Sequence, residues 1–151
     1  MKIYQHVETI QTTEGISLVN LNDDINNAIG HSHITEGFVI ISSRHTTTAI
    51  TINEYEERLL EDFKLWLKKL APENNKYLHN DIEKRDCPPD EPKNAHSHLM
   101  AMLLGSSETI PITSRKIAVG QYQAVMLVDL DGPRERTVNI QIIGDERKQW
   151  E

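Results

Sequence analysis

Between Tyr77 and Ser107 the chain gathers His79, His96 and His98, three of its seven histidines, together with Asp81, its one cysteine and three of its six prolines. Imidazole is the commonest metal ligand and the side chain whose ordinary titration lies near neutrality, so histidines clustered in a polar loop raise metal binding or proton transfer. His96 and His98 are two apart, which puts them on one face of a strand but nearly opposite on a helix. Only one of them then fits a site. The plain alternative is that His96 solvates a helix start, His98 is partly buried against backbone and His79 is a loop residue beside Asn80 and Asp81. From spacing alone, that alternative is favoured over metal ligation.

Three other stretches carry groups suited to an anion. His45-Thr46-Thr47-Thr48 offers an imidazole and hydroxyls that can donate to phosphate oxygens, although a threonine run is also ordinary β-strand sequence. Arg134 follows Asp131-Gly132-Pro133, where a tight turn can aim a guanidinium for bidentate phosphate binding or simply end in a solvated arginine. Glu54 reads either as a general base or as the first acidic residue of a helix, where it favours the helix dipole. Cys87 has no partner in the chain and reads as incidental.

These residues must be positioned by elements, which the hydrophobic pattern outlines. Lys2 to Ile10 and Ile16 to Leu21 read as two strands of a hairpin. Asn22 or Asp23 caps a short helix with Ile25, Ala28 and Ile29 on one face, ended by Gly30. Phe38 to Ser42 is a core strand, and Arg44 to Asn53 is a second, with His45, Thr47, Ala49 and Thr51 sharing a face. Glu54 to Leu70 spaces Leu59, Leu60, Phe63, Leu67 and Leu70 as the longest helix. No element is predicted from Tyr77 to Pro92. Asn94 caps a helix to about Leu104, with Leu99, Met102 and Leu103 inward and Gly105 at its end. Strands follow at 108–112, 116–119, 121–130 and 136–143. The expectation is an α+β, β-sandwich-like fold of mainly antiparallel sheets with two or three helices, one domain over 1–151, with residues 144–151 a solvated tail.

The chain of 151 residues is long enough to bury a core without disulfides or structural metal. No apolar run reaches bilayer length, and the N-terminus alternates polar and apolar residues unlike a signal peptide, so a cytoplasmic protein without membrane contact is expected. A net charge of −7 disfavours nucleic acid. Arg44, Arg134 and Arg136 can still form a small anion pocket within an acidic surface.

Taken together, HTTTAITINE at 45–54, YLHND at 77–81, NAHSHLMAMLLGSSETIP at 94–111 and VDLDGPRERTV at 128–138 resemble the YjbQ family, also called the secondary thiamine-phosphate synthase family. The likeness runs from about residue 16 to 143. It implies a β-sandwich-like α+β domain assembled as a homotrimer. The implied activity is the coupling of a thiazole phosphate to a pyrimidine pyrophosphate with release of pyrophosphate. It raises His45, His79 and His98 as ligands of a divalent ion such as zinc, with Asp81 or Glu54 as acid or base. Arg134 becomes the phosphate clamp, with Thr46 and Thr47 as further donors. The chain departs from the family pattern at Thr113-Ser114-Arg115-Lys116 and at Gly120-Gln121-Tyr122-Gln123, where Tyr122 stands for a tryptophan.

Three functions follow in order of preference. The first is a metal-assisted transferase acting on phosphorylated small molecules. The second is a metal-dependent hydrolase of phosphate esters or pyrophosphate, and the third a non-enzymatic trimeric protein that binds an anion.

Overall fold

The segment AVMLVDL at 124–130 is buried at every position, whereas RTVNIQII at 136–143 alternates buried with half-exposed residues. A strand covered on both faces gives the first pattern, and one with a solvent-facing side gives the second. These two strands mark the two sheets of the molecule.

A computed structural model describes residues 1–146. In chain order the elements are β1 (Lys2–Gln11), β2 (Gly15–Asn20), α1 (Asn22–Ser32), β3 (Glu36–Ser43), β4 (Thr48–Glu54), α2 (Glu57–Leu70), α3 (Ala95–Leu104), β5 (Ser107–Thr113), β6 (Lys116–Ile117), β7 (Gln123–Gly132) and β8 (Glu135–Asp145). Two single 3-10 turns, Leu78–Asn80 and Ile82–Lys84, lie in the long connection before α3. A five-stranded antiparallel sheet has the order β1-β8-β3-β5-β6, and a three-stranded one has β2-β7-β4.

Between the sheets, Val39, Ile41, Ile140 and Ile142 from the larger meet Ile50, Val125 and Leu127 from the smaller, and Ile25 and Ile29 of α1 close one edge. Each such side chain, fully withdrawn from water, contributes roughly 1.5–3 kcal/mol. The outer face of the smaller sheet is covered in turn by α2 and α3, through Leu67, Met100 and Ala101 packed on Ala49, Met126 and Val128. The α+β, mainly antiparallel sandwich expected from the sequence is therefore present, with a helical layer on one side only. Among the described residues no helix is long and apolar enough to cross a membrane.

Several local expectations are corrected. β1 and β2 are not a hairpin: β1 pairs with β8 and β2 with β7, because the chain changes sheets between them. The Thr12–Glu14 corner lies against the β7–β8 corner, where the Thr12 amide donates to the Arg134 carbonyl at 3.0 Å. The approach is close enough that a Cβ on Gly132 would lie 2.1 Å from the Thr13 carbonyl oxygen. Residues 44–47 are likewise a corner between sheets, so β4 begins at Thr48 rather than Arg44. β8 continues to Asp145, which removes Gly144 and Asp145 from the expected tail; residues 147–151 lie outside the described residues.

The helices also differ in detail. Gly30 lies inside α1, which ends at Ser32 with His33 in the left-handed conformation. Asn20, not Asn22 or Asp23, receives the helix-start amide of Asn22, at 3.0 Å. Glu56 caps α2 by accepting from the Arg58 and Leu59 amides, leaving Glu54 on β4. In α3 the inward face is Ala95, Ser97, Met100 and Ala101, while Leu99, Met102 and Leu103 are exposed. Apolar residues surround the second half of this helix, so spacing alone could not choose its face.

Candidate functional site

Two of the sheet-changing corners carry the groups of the DGPR and HTT stretches to one end of the sandwich. Leu130 donates its amide to the Thr47 carbonyl at 3.0 Å, which locks the β3–β4 corner against the end of β7. Beneath it lies a buried ion pair. Arg136 donates from Nε and Nη2 to the two oxygens of Asp129 at 3.0 and 2.8 Å, and from Nη2 to Thr47 Oγ1 at 2.9 Å. Asp129 also accepts from the Thr12 hydroxyl and, at 2.9 Å, from the Asp131 amide. Burial would raise the Asp129 pKa, but the hydrogen bonds from Arg136 and Thr12 outweigh it and hold the carboxyl below its ordinary value. A carboxylate with every lone pair engaged is a fixed support, not an acid or base for a substrate.

Above this support opens a cavity of about 390 Å³, walled by Arg44, His45, Thr46, Thr47, Asn94, His98, Asp131, Arg134 and Arg136, with Glu91 and Pro92 at one side. Thr47 is buried, and because its oxygen accepts from Arg136, its own proton is free to donate. Arg134 reaches back to Asp131, with Nη2 on the carboxylate and Nε on the carbonyl, both at 3.1 Å. Arg44 has no ion-pair or hydrogen-bond partner among the described residues. Three guanidinium groups and two hydroxyls around one small cavity suit the oxygens of a phosphate or pyrophosphate, and Arg44 is the cation whose charge is not already matched.

The histidines divide. His79 and His98 meet edge to face, with ring centroids 4.6 Å apart. Burial and then the neighbouring His79 push the His98 pKa below its ordinary 6.5, so the ring is neutral at pH 7. His45 sits on the β3–β4 corner and its Nε2 accepts the Thr137 amide at 3.0 Å. Burial and then the Arg136 charge push its pKa down as well. With Nε2 an acceptor, the neutral ring carries its proton on Nδ1. His45 is thus arranged to donate a hydrogen bond rather than to offer a lone pair to a metal.

The three-histidine metal shell expected from the resemblance is consequently not assembled: His45 Nε2 is engaged by backbone. Among the described residues no three or more His, Cys, Asp or Glu side chains are grouped to hold a metal ion. His79 and His98 can supply two imidazole nitrogens and lack a third ligand in this arrangement.

Of the other expected site residues, Thr46, Thr47 and Arg134 line the same cavity. Asp81 does not: it lies on the surface of the long loop, 3.7 Å from Lys84. Glu54 is at the opposite end of β4 from Thr48, about 20 Å along the strand at ~3.3 Å per residue. Arg136 was expected only as one of three arginines able to form an anion pocket, and Asp129 and Asn94 were not expected in the site. A signal existed for Arg136 and Asp129, since Asp129 interrupts an otherwise apolar strand run, and a charge there calls for a buried partner. Asn94 is the N-cap residue of α3, as expected, and its carbonyl accepts the Ser97 amide at 3.0 Å; its side chain makes no cap bond and instead donates to Asp131 at 2.7 Å, while the Ala95 amide is received by Asn80 at 3.1 Å.

Comparison with known proteins finds relatives in sequence and in fold. The family described as UPF0047 protein YjbQ-like matches residues 6–145. A UPF0047 protein of Methanothermobacter thermautotrophicus is 33% identical over 144 residues, covering 95% of this chain and 94% of that protein. One from Archaeoglobus fulgidus is 33% identical over 135 residues, covering 89% of this chain and 98% of its own. A crystal structure of a YbjQ-like protein of unknown function from Sulfolobus solfataricus superposes with a TM-score of 0.86 at 32% identity, covering 95% of this chain and 99% of that one.

Proposed function

The chain belongs to the UPF0047 YjbQ-like family, and on the geometry of its corner cavity we propose that it is a transferase acting on a phosphorylated small molecule. The observation that carries this reading is the unmatched Arg44 facing Thr46, Thr47 and Arg134 across a cavity that also holds the neutral His98. In this reading the arginines and hydroxyls seat a phosphate or pyrophosphate. His98, backed by His79, lines the same cavity as a neutral imidazole able to hydrogen-bond an oxygen of the leaving pyrophosphate. Asp81 and Glu54 give up the acid and base roles assigned from the sequence, since neither reaches the cavity.

The family resemblance supplies the first reaction to assay. The bond between the pyrimidine methylene and pyrophosphate breaks, a carbon–nitrogen bond to the thiazole phosphate forms, and pyrophosphate leaves. Stabilising that leaving group is what an arginine-lined cavity does well. The homotrimer implied by the resemblance and the cytoplasmic location expected from the N-terminal sequence belong to the same reading and are checked by light scattering and cell fractionation.

The experiment is a turnover assay with this precursor pair and with a panel of phosphate monoesters and pyrophosphates, run on wild type, Arg44→Gln and His98→Gln. Product formation lost in both variants supports a transferase. Release of inorganic phosphate without coupling replaces it with a hydrolase, and tight anion binding without turnover on any substrate replaces it with a binding protein.

A further inference from the structure

Arg44, His45, Thr46 and His98 wall two cavities at once. On one side is the anion cavity. On the other, a cavity of about 490 Å³ opens between the β3–β4 corner and the C-terminal half of α3, where Ala101, Met102, Gly105 and Ser106 complete it. The volume suits a small organic group. A cavity of about 530 Å³ also adjoins the anion site, across Asp131, but it is edged by Glu14 and Glu73 as well as by Lys68 and Lys93. Among the described residues, no Asp or Glu lines the cavity beside α3.

The polar groups at the floor of that cavity are already matched. The Ser43 and Thr48 hydroxyls bond each other, the Ser43 oxygen accepts the His45 amide at 3.2 Å, and the Thr48 hydroxyl donates to the His45 carbonyl at 3.3 Å. The backbone is engaged as well. The Gly105 amide donates to the Ala101 carbonyl at 3.0 Å, the Gly105 carbonyl accepts the Ile50 amide at 3.1 Å, and the Ser106 carbonyl accepts the Ser43 amide at 2.9 Å. A polar occupant would lose its water and find these partners taken. The reachable surface is apolar: Met102 is 78% exposed, and a Cβ added to Gly105 would meet nothing within 4 Å. A thioether packs well against a ring, and the Arg44 guanidinium on the shared wall can lie flat on one while its charge serves the phosphate.

We propose that the cavity beside α3 holds the organic part of the phosphorylated ligand, and that it selects an uncharged apolar ring, joined to the phosphate by a short link, over a polyhydroxylated one. The proposal rests on the anion-site reading above: the phosphate sits with Thr47 and Arg134, and the link passes Thr46 and His98. Met102 is the residue that sets this preference.

Calorimetric titration of the full chain with inorganic pyrophosphate, methyl phosphate, benzyl phosphate and myo-inositol monophosphate tests it. Benzyl phosphate is expected to bind about tenfold more tightly than methyl phosphate, the value of partly burying one ring, and the inositol ester no more tightly than methyl phosphate. Ser106→Trp, which puts a ring of its own into the cavity from an exposed position, is expected to erase the benzyl advantage and leave pyrophosphate affinity unchanged. Met102→Ala, on the exposed side of α3 where truncation is tolerated, should reduce the advantage to about threefold. Equal affinity for methyl and benzyl phosphate, as a second copy seated over Met102 would produce, overturns the proposal. So does an advantage undiminished in either variant, or a preference for the inositol ester; in each case pyrophosphate binding keeps the anion site standing. Absence of pyrophosphate binding to wild type overturns both readings.

Discussion

The amide of Thr137 donates to Nε2 of His45 at 3.0 Å, joining the first strand residues of β8 to the β3–β4 corner. One backbone hydrogen bond thereby settles which imidazole nitrogen bears the proton and turns a residue expected as a metal ligand into a donor facing the cavity wall. A three-histidine centre would require that bond to break. Pyrophosphate affinity, measured by calorimetry, is therefore expected to be the same before and after dialysis against a chelator. A gain in affinity on adding zinc that disappears in both His45→Asn and His98→Gln would establish the metal centre instead.

The same two histidines predict a pH dependence of stability. Both have folded pKa values below the ordinary 6.5, in each case chiefly through burial. The unfolded chain then binds more protons than the folded one at and below that pH, so their contribution is intact above about 6.5 and is lost as pH falls through the folded values. Urea unfolding at a series of pH values from about 7.5 to 5 should show declining stability, and His45→Asn and His98→Gln should each flatten the decline. A profile unchanged in both variants would assign the loss to other groups.

Asp129→Asn removes one partner of a pair whose side chains are 0% and 6% exposed. The uncompensated Arg136 charge should lower stability by about 3–5 kcal/mol, and replacing both partners with apolar residues should cost less than that single change. Denaturant midpoints of the single and double variants decide it; a smaller loss in the single variant would mean that water reaches the pair.

Arg44 supports nothing in the fold, so Arg44→Gln should leave the denaturant midpoint within about 0.5 kcal/mol of wild type. Pyrophosphate affinity should fall roughly 10- to 100-fold, the value of a charge-assisted hydrogen bond. Arg134→Gln, which removes a guanidinium already shared with Asp131, is expected to weaken binding less. The reverse order would make Arg134 the clamp.

Met100 is 2% exposed and Met102 78%. Met100→Ala should destabilise by about 2–5 kcal/mol and Met102→Ala by less than about 0.5. Comparable losses would mean that Met102 is covered in solution, as assembly through this face of α3 would bring about.

Local pattern made much of the scaffold legible. The β-branched run at Phe38 to Ser42, the amphipathic spacing of α2 and the alternation in β8 each follow from a strand or helix having to bury one side, so they are written in adjacent residues. Pairing was not. Nothing in Lys2 to Asn20 distinguishes a hairpin from two strands that enter different sheets, because the partners, β8 and β7, lie more than a hundred residues away in sequence.

The sequence by itself determined that an acidic, single-cysteine chain carries an α+β sandwich with donors of the HTT and DGPR stretches able to meet an anion. Tertiary structure alone decided which of them meet. Asp81 and Glu54 were plausible from residue type, but one faces solvent and the other lies a strand's length away. Arg136 and Asp129 became central because a charge pair inside a sandwich is stable only where both members and all their hydrogen bonds converge. His45 changed role for the same reason: the proton position on a ring depends on its nearest partner in space, and that partner, Thr137, comes from the other end of the chain.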